Sequence, residues 1–263
     1  MKIIDHHVHL NSDPKIGFCL DWRTVSHRLD HYELDGAIIF STPNVSYSNK
    51  NPYLGVNRMI LQASKDDKRL IPFSFIHPFY DETANFEKEH EQFKGFKLHQ
   101  RARHLEYSYG QLHKSKVAEF IISTNKPVFF HTGYREGARI KDLSYVAENR
   151  KSHLVFSHSG DLIDSDLRLV KKYENVYIDV SPLVTMIERN FFVELPRRST
   201  ELRILNISNI LNYLAKLFGK KRIIWGSDSP WCDNLIEEGY RKEVDVGKYM
   251  LEEGFCTNIF NEL

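Results

Sequence analysis

Lys2-Ile3-Ile4-Asp5-His6-His7-Val8-His9 decides how this chain is read. Ile3-Ile4 is a β-branched run that predicts a short strand ending in a polar cluster. Side chains alternate faces along a strand with a period of two. His7 and His9 are therefore expected to point the same way, with Asp5 beside them. Two imidazoles at the end of a first strand suit one metal ion, with nitrogens about 2.0–2.1 Å from zinc. A histidine pair also arises by chance, so the reading depends on the rest of the chain.

Outward from this stretch, the same kind of strand recurs. Runs rich in Val, Ile and Phe fall at 3–8, 37–40, 71–76, 95–99, 127–131, 153–158, 176–180 and 222–227. Between them lie stretches with helical spacing. Asn51-Pro52 reads as a cap with proline in the first turn, leading into Leu54, Met59, Ile60 and Ala63. Val117, Phe120 and Ile121 form one apolar stripe, and Ile140, Leu143 and Ala147 another. Ile207, Ile210, Leu211, Leu214, Leu217 and Phe218 form the strongest, which Gly219 ends. Leu167 and Val170 form a weaker one. Apolar strands alternating with amphipathic helices predict a parallel sheet covered on both faces. Eight such units match a distorted (β/α)8 TIM barrel, for which about 250 residues is typical. One domain over residues 1–263 is expected. The main alternative, an open doubly wound sheet, usually has a glycine-rich phosphate turn after the first strand. Histidines stand there instead.

Composition narrows the function. Apolar residues make up 41% and charged residues 27%, and the formal charge is +1. This balance gives no reason to expect nucleic acid or an anionic membrane as a partner. No apolar run reaches the roughly 20 residues that a membrane-spanning helix needs. The start Met1-Lys2-Ile3-Ile4 lacks a signal-peptide pattern. Cys19, Cys232 and Cys256 are few and widely spaced, which suggests no disulfide framework and a cytoplasmic location.

In a barrel the C-terminal ends of the strands converge on one mouth, and catalytic residues come from several of them. The polar residues at those ends are His7 and His9, His77, Lys97 and His99, His131, His158 and Asp228. Any one of these alone is more often a hydrogen-bonded structural residue or a helix cap. Together they supply the imidazole and carboxylate donors used by zinc, iron and manganese sites.

With these segments in hand, the chain resembles the amidohydrolase superfamily, in its amidohydrolase-related branch of metal-dependent hydrolases and decarboxylases. The resemblance rests on Ile4-Asp5-His6-His7-Val8-His9, Gly95-Phe96-Lys97-Leu98-His99, Pro127-Val128-Phe129-Phe130-His131-Thr132-Gly133, Val155-Phe156-Ser157-His158-Ser159-Gly160 and Trp225-Gly226-Ser227-Asp228-Ser229-Pro230-Trp231. It implies His7, His9 and His131 as metal ligands. Asp228 is implied as a fourth ligand or as the base for water. His158 is implied as an acid/base, or as a ligand where two metals bind. Lys97 matches a position that some members carboxylate; unmodified, it could anchor a substrate carboxylate that His99 orients. One divalent ion is expected, zinc first, with manganese or iron as alternatives. Related deoxyribonucleases carry a bridging glutamate on a middle strand. The strand ends here offer none, which argues against nuclease activity.

The implied chemistry is hydrolysis of an acyl C–N or C–O bond in a small anionic substrate. A non-oxidative decarboxylase of an aromatic or unsaturated acid, or a metal-independent lactonase, fits the same residues. A catalytically silent binding barrel would be expected to have lost one of His7, His9, His131, His158 or Asp228. Arg135 is the favoured anion anchor, with Arg101 and Arg103 as further candidates and Trp231 as a pocket wall. Ser181 to Thr200, with Pro182, Met186, Phe191, Phe192, Pro196, Arg197 and Arg198, reads as a lid or a subunit contact. Leu10 to Trp22 is a second candidate cover. A homodimer is possible for such a barrel.

Overall fold

The computed structural model describes residues 2–13, 18–42, 53–81, 86–100, 106–148, 153–191, 202, 204–231, 237–256 and 258–262. All eight expected strands are present: β1 (Ile4–Asp13), β3 (Gly36–Ser41), β4 (Leu70–Ile76), β5 (Gly95–Leu98), β6 (Val128–Phe130), β7 (Leu154–Phe156), β8 (Val176–Asp179) and β9 (Ile223–Ile224). A further strand, β2 (Phe18–Leu20), pairs antiparallel with the far end of β1. It lies in the stretch read as a cover. Three residues are too few for a periodicity to reveal a strand.

The sheet order is β2-β1-β3-β4-β5-β6-β7-β8-β9, and every neighbouring pair from β1 to β9 is parallel. Closure comes from the ends. The His9 amide donates to the Ser229 carbonyl at 2.7 Å, and Val8 bridges Ser229 in parallel register. The result is a nearly closed (β/α)8 barrel, and the open sheet is excluded.

The interleaved helices are α1 (Trp22–Tyr32), α2 (Leu54–Asp66), α3 (Phe86–His90), α4 (Lys116–Ser123), α5 (Ser144–Glu148), α6 (Asp164–Val170), α7 (Leu183–Glu188), α8 (Ile207–Phe218) and α9 (Glu237–Glu252). The Asp21 side chain caps α1 and the Asn206 side chain caps α8, each accepting from a backbone amide in the first turn. No helix among the described residues is long and apolar enough to cross a membrane.

Three details differ from the sequence reading. Met59 is 58% exposed and lies off the buried stripe of α2, whose proposed cap Asn51-Pro52 is outside the described residues. The stripe Ile140–Ala147 is buried as expected, but its backbone is a 3-10 turn over Ile140–Leu143 followed by α5. In β1 the register slips between Asp5 and Val8, a bulge that interrupts the strict alternation. Asp5 consequently leaves the face of His7. It accepts from the Ser227 amide at 2.8 Å and from the Tyr240 hydroxyl at 3.3 Å, tying β1 to the end of β9 and to α9.

Two apolar layers follow from the period of two. Ile38, Phe40, Phe73, Phe75, Phe129 and Val155 fill the barrel interior. Their neighbours Ile39, Phe96, Phe130, Leu154 and Phe156 face the helices. Gly95 is required by the inner layer, because a Cβ there would lie 2.1 Å from the Phe73 ring. This aromatic interior supports the polar cluster above it.

Candidate active site

His7 and His9 converge after the bulge, and their partners set their protonation. His7 Nδ1 lies 2.6 Å from Asp179 Oδ2, and His9 Nδ1 lies 2.8 Å from the Ser41 carbonyl oxygen. A carbonyl oxygen cannot donate, so His9 Nδ1 carries the proton. The same holds for His7 Nδ1 where Asp179 is ionised, its carboxyl being raised to about 7 by burial, and each Nε2 then keeps a lone pair. Those two Nε2 atoms are 3.3 Å apart. Burial pushes His7 well below the ordinary histidine value, and the positive field of Lys97 adds to this. The imidazole is thus held neutral.

Asp228 completes the cluster from the end of β9. Its Oδ1 is 3.2 Å from His7 Nε2 and 3.4 Å from His9 Nε2. The residue has φ 56, a left-handed conformation, and its carbonyl accepts from the Trp231 amide at 2.8 Å. Aspartate tolerates this conformation better than most side chains. Among the described residues, His7, His9 and Asp228 form the candidate metal-binding triad, all three buried. Four donors about 2.0–2.1 Å from a tetrahedral zinc stand about 3.3 Å apart. The observed separations match that edge. The donor set, two imidazole lone pairs and one carboxylate, therefore fits a divalent ion.

The other predicted residues surround the triad at differing distances. His158 Nδ1 is 2.7 Å from the Ser181 carbonyl oxygen, and its Nε2 is 2.8 Å from His131 Nδ1. His131 stacks on His99 with centroids 3.8 Å apart. His131 thus joins His158 and His99 in the wall of the same site. Burial lowers both His131 and His158, and neighbouring histidines add to the effect for His131. Lys97 is fully buried beneath the cluster, with Nζ 3.1 Å from His7 Nε2 and 3.2 Å from Ser157 Oγ. Burial lowers it from the ordinary lysine value, against the opposing pull of Asp179 and Asp228. Lys97 is not among the residues that line the cavity above the triad. His77 faces elsewhere, in a box with Tyr80 and Tyr107.

Above the triad opens a cavity of about 480 Å³. Its floor includes His9, His131, His158 and Asp228, and His99, Arg135 and Trp231 also line it. The start of the Ser181–Thr200 connection covers one side as α7, which contributes Thr185 and Met186, with Arg189 and Phe191 following it. This supports the lid reading for that part. Phe192, Pro196, Arg197 and Arg198 lie outside the described residues, as do Arg101 and Arg103. No described residue of Leu10 to Trp22 lines the cavity.

Three residues were missed. Asp179 ends β8, and a carboxylate closing Val176-Tyr177-Ile178 was a readable signal. Arg189 gave no pattern of its own. Asp161 follows His158 by three positions and lines the same cavity; burial pushes its carboxyl up to about 7.

A barrel with a buried histidine–aspartate triad at the C-terminal mouth of its strands defines a class, and the comparisons agree with it. The Amidohydro_2 family model, described as amidohydrolase, matches residues 44–255. The chain belongs to this amidohydrolase family. Among curated proteins, none matches it. Among solved structures, an amidohydrolase from Burkholderia multivorans with bound zinc is 16% identical, with a TM-score of 0.64 over 97% of this chain and 93% of that one. A probable 2-pyrone-4,6-dicarboxylic acid hydrolase from Acinetobacter baumannii with citric acid bound is 17% identical, with a TM-score of 0.61 over 95% and 92%. The 5-carboxyvanillate decarboxylase from Sphingomonas paucimobilis is 11% identical, with a TM-score of 0.59 over 97% and 98%. At these identities the likeness is one of fold.

Proposed function

We propose that the protein is a metal-dependent hydrolase acting on a small anionic substrate. One observation carries this: acceptor atoms of His7, His9 and Asp228 stand 3.2–3.4 Å apart, and His9 and Asp228 line a cavity whose wall holds Arg135 and Arg189. In this reading His7, His9 and Asp228 hold one divalent ion, zinc first. His131, with Nδ1 engaged by His158, offers Nε2 as a further donor. When bound, such an ion acidifies water and polarises a carbonyl oxygen.

The chain's own residues supply the remaining steps. Asp228 Oδ2, 4.0 Å from His158 Nδ1, takes the proton of the attacking water. Asp228 then returns that proton to the leaving group, and His158, fixed by the Ser181 carbonyl and by His131, stands beside the carboxylate and positions it. Arg135 orients the substrate's anionic group, and α7 with Trp231 limits water around the reacting carbon. Decarboxylation uses the same residues, with Asp228 or His158 protonating the carbon that loses carbon dioxide.

A metal-independent variant has one observation in its favour. The Lys97 ammonium donates to His7 Nε2 and is a built-in cation against the triad. Elemental analysis of chelator-free protein separates the two readings. About one ion per chain, together with turnover of an ester, lactone or amide that Asp228→Asn lowers by about 10²–10⁴-fold, is the expected result. No bound ion, and no gain on adding zinc or manganese, would sink the metal-dependent reading.

A further inference from the structure

His158 begins an unusual stretch of backbone. Residues His158, Ser159, Gly160, Asp161 and Leu162 have φ of 59, 52, 54, 54 and 55. This is a left-handed turn of five residues, four of them not glycine. Each non-glycine residue there costs about 1–2 kcal/mol. Single left-handed residues are ordinary, whereas a run of this length needs compensation elsewhere. In a helix of about three residues per turn, positions three apart align on one side. The turn therefore presents His158 and Asp161 together, and both line the cavity.

The surroundings are shaped to receive the Asp161 side chain. The Tyr134 amide donates to Asp161 Oδ2 at 2.7 Å. A Cβ on Gly133 would lie 2.6 Å from the same oxygen, so glycine is what admits the carboxyl. Asp161 is only 5% exposed, and among the described residues its Oδ1 has no partner. Oδ1 is not among the fully buried unpaired oxygens of the described residues, so it opens toward the cavity that Asp161 lines. The Tyr134 amide needs only one acceptor oxygen, which leaves the other unexplained by packing.

We propose that Asp161 is a specificity-determining residue that accepts a hydrogen bond from a hydroxyl or amine on the substrate. The substrate class is then a carboxylate that also carries such a donor, its anionic group facing Arg135 or Arg189 and its donor facing the left-handed turn. This rests on the reading of the cavity as a site for anionic substrates. Tyr134 and Phe191, with ring centroids 6.5 Å apart, and Trp231 make a ring-bearing probe appropriate.

The experiment is calorimetric binding of benzoate, 3-hydroxybenzoate and 4-hydroxybenzoate to the zinc-loaded protein and to Asp161→Asn. Asparagine tolerates the left-handed backbone. Its amide oxygen must face the Tyr134 amide, which turns a donor toward the cavity where an acceptor stood. The wild type should bind at least one hydroxy acid about tenfold more tightly than benzoate, and the ratio should fall to about one in Asp161→Asn. Gly133→Ala, which displaces the carboxyl without removing it, should lose the preference as well. Equal binding of all three acids by the wild type, or an unchanged ratio in Asp161→Asn, overturns this inference alone. Binding of none of the three overturns it together with the anionic-substrate reading.

Discussion

Asp179 Oδ2 lies 2.6 Å from His7 Nδ1, and both side chains are fully buried. This contact decides which nitrogen of His7 is free. With Nδ1 protonated toward Asp179, Nε2 points its lone pair at His9 and Asp228. The Ser181 hydroxyl donates to the same Asp179 oxygen at 2.9 Å and holds it in place.

Asp179→Asn should therefore weaken metal binding without unfolding the barrel. An amide can present NH₂ to Nδ1 and favour the wrong tautomer. Loss of such an orienting partner typically costs about 10–100-fold in affinity. Competition with a zinc chelator measures this; an unchanged affinity would show that Asp179 does not orient His7.

Gly226 connects the barrel to the same histidine. A Cβ there would lie 2.6 Å from His7 Cβ and 2.9 Å from its backbone nitrogen. Backbone cannot swing aside as a side-chain tip can. Gly226→Ala should cost about 1–3 kcal/mol of stability and lower zinc occupancy as well. Thermal melting and elemental analysis on one preparation test this, and full occupancy in the variant would contradict it.

Arg135→Ala should raise KM selectively for carboxylate substrates, by about tenfold or more if the contact is a charge-assisted hydrogen bond. A neutral analogue serves as the control. An equal rise for both would assign Arg135 a packing role, consistent with its position 5.8 Å from the centroid of the Tyr134 ring.

Glu243 on α9 carries a pH signature. Its Oε1 accepts from the Thr185 amide at 3.0 Å and from the Thr185 hydroxyl at 3.2 Å, anchoring α7 over the cavity. Burial pushes the carboxyl up to about 8 from its ordinary 4.5. The folded state thus holds this proton more tightly than the unfolded state does. The associated stability is complete below about pH 4.5 and is lost as pH rises to about 8. Glu243→Gln keeps an acceptor for Thr185 but cannot ionise. Its Tm should match the wild type near pH 5 and exceed it by at least about 2–4 °C at pH 9. Parallel Tm profiles would remove Glu243 as the titrating group.

Much of this protein is legible from local patterns. The eight parallel strands follow from apolar runs, because a strand covered on both faces must be apolar at nearly every position. His7, His9 and Asp228 were readable because strand ends converge wherever a parallel barrel closes. The bulge that turns Asp5 outward was not readable. It depends on Ser227 and Tyr240, which lie 222 and 235 positions away. Lys97 points inward as alternation predicts, yet its ammonium meets His7 and Ser157, not the cavity. The aromatic floor formed by Phe40 and Phe129 surrounds it there.

Periodicity and residue chemistry are local properties, so they sufficed to predict the barrel and to nominate His7, His9 and Asp228 as candidate donors. Only closure of the fold set the partners of His7 and His9, paired His131 with His158, and brought Asp161 and Arg189 to one cavity. Each of these depends on contacts between segments far apart in the chain. Such contacts exist only once closure of the sheet brings β1 against β9 and sets α7 over the mouth.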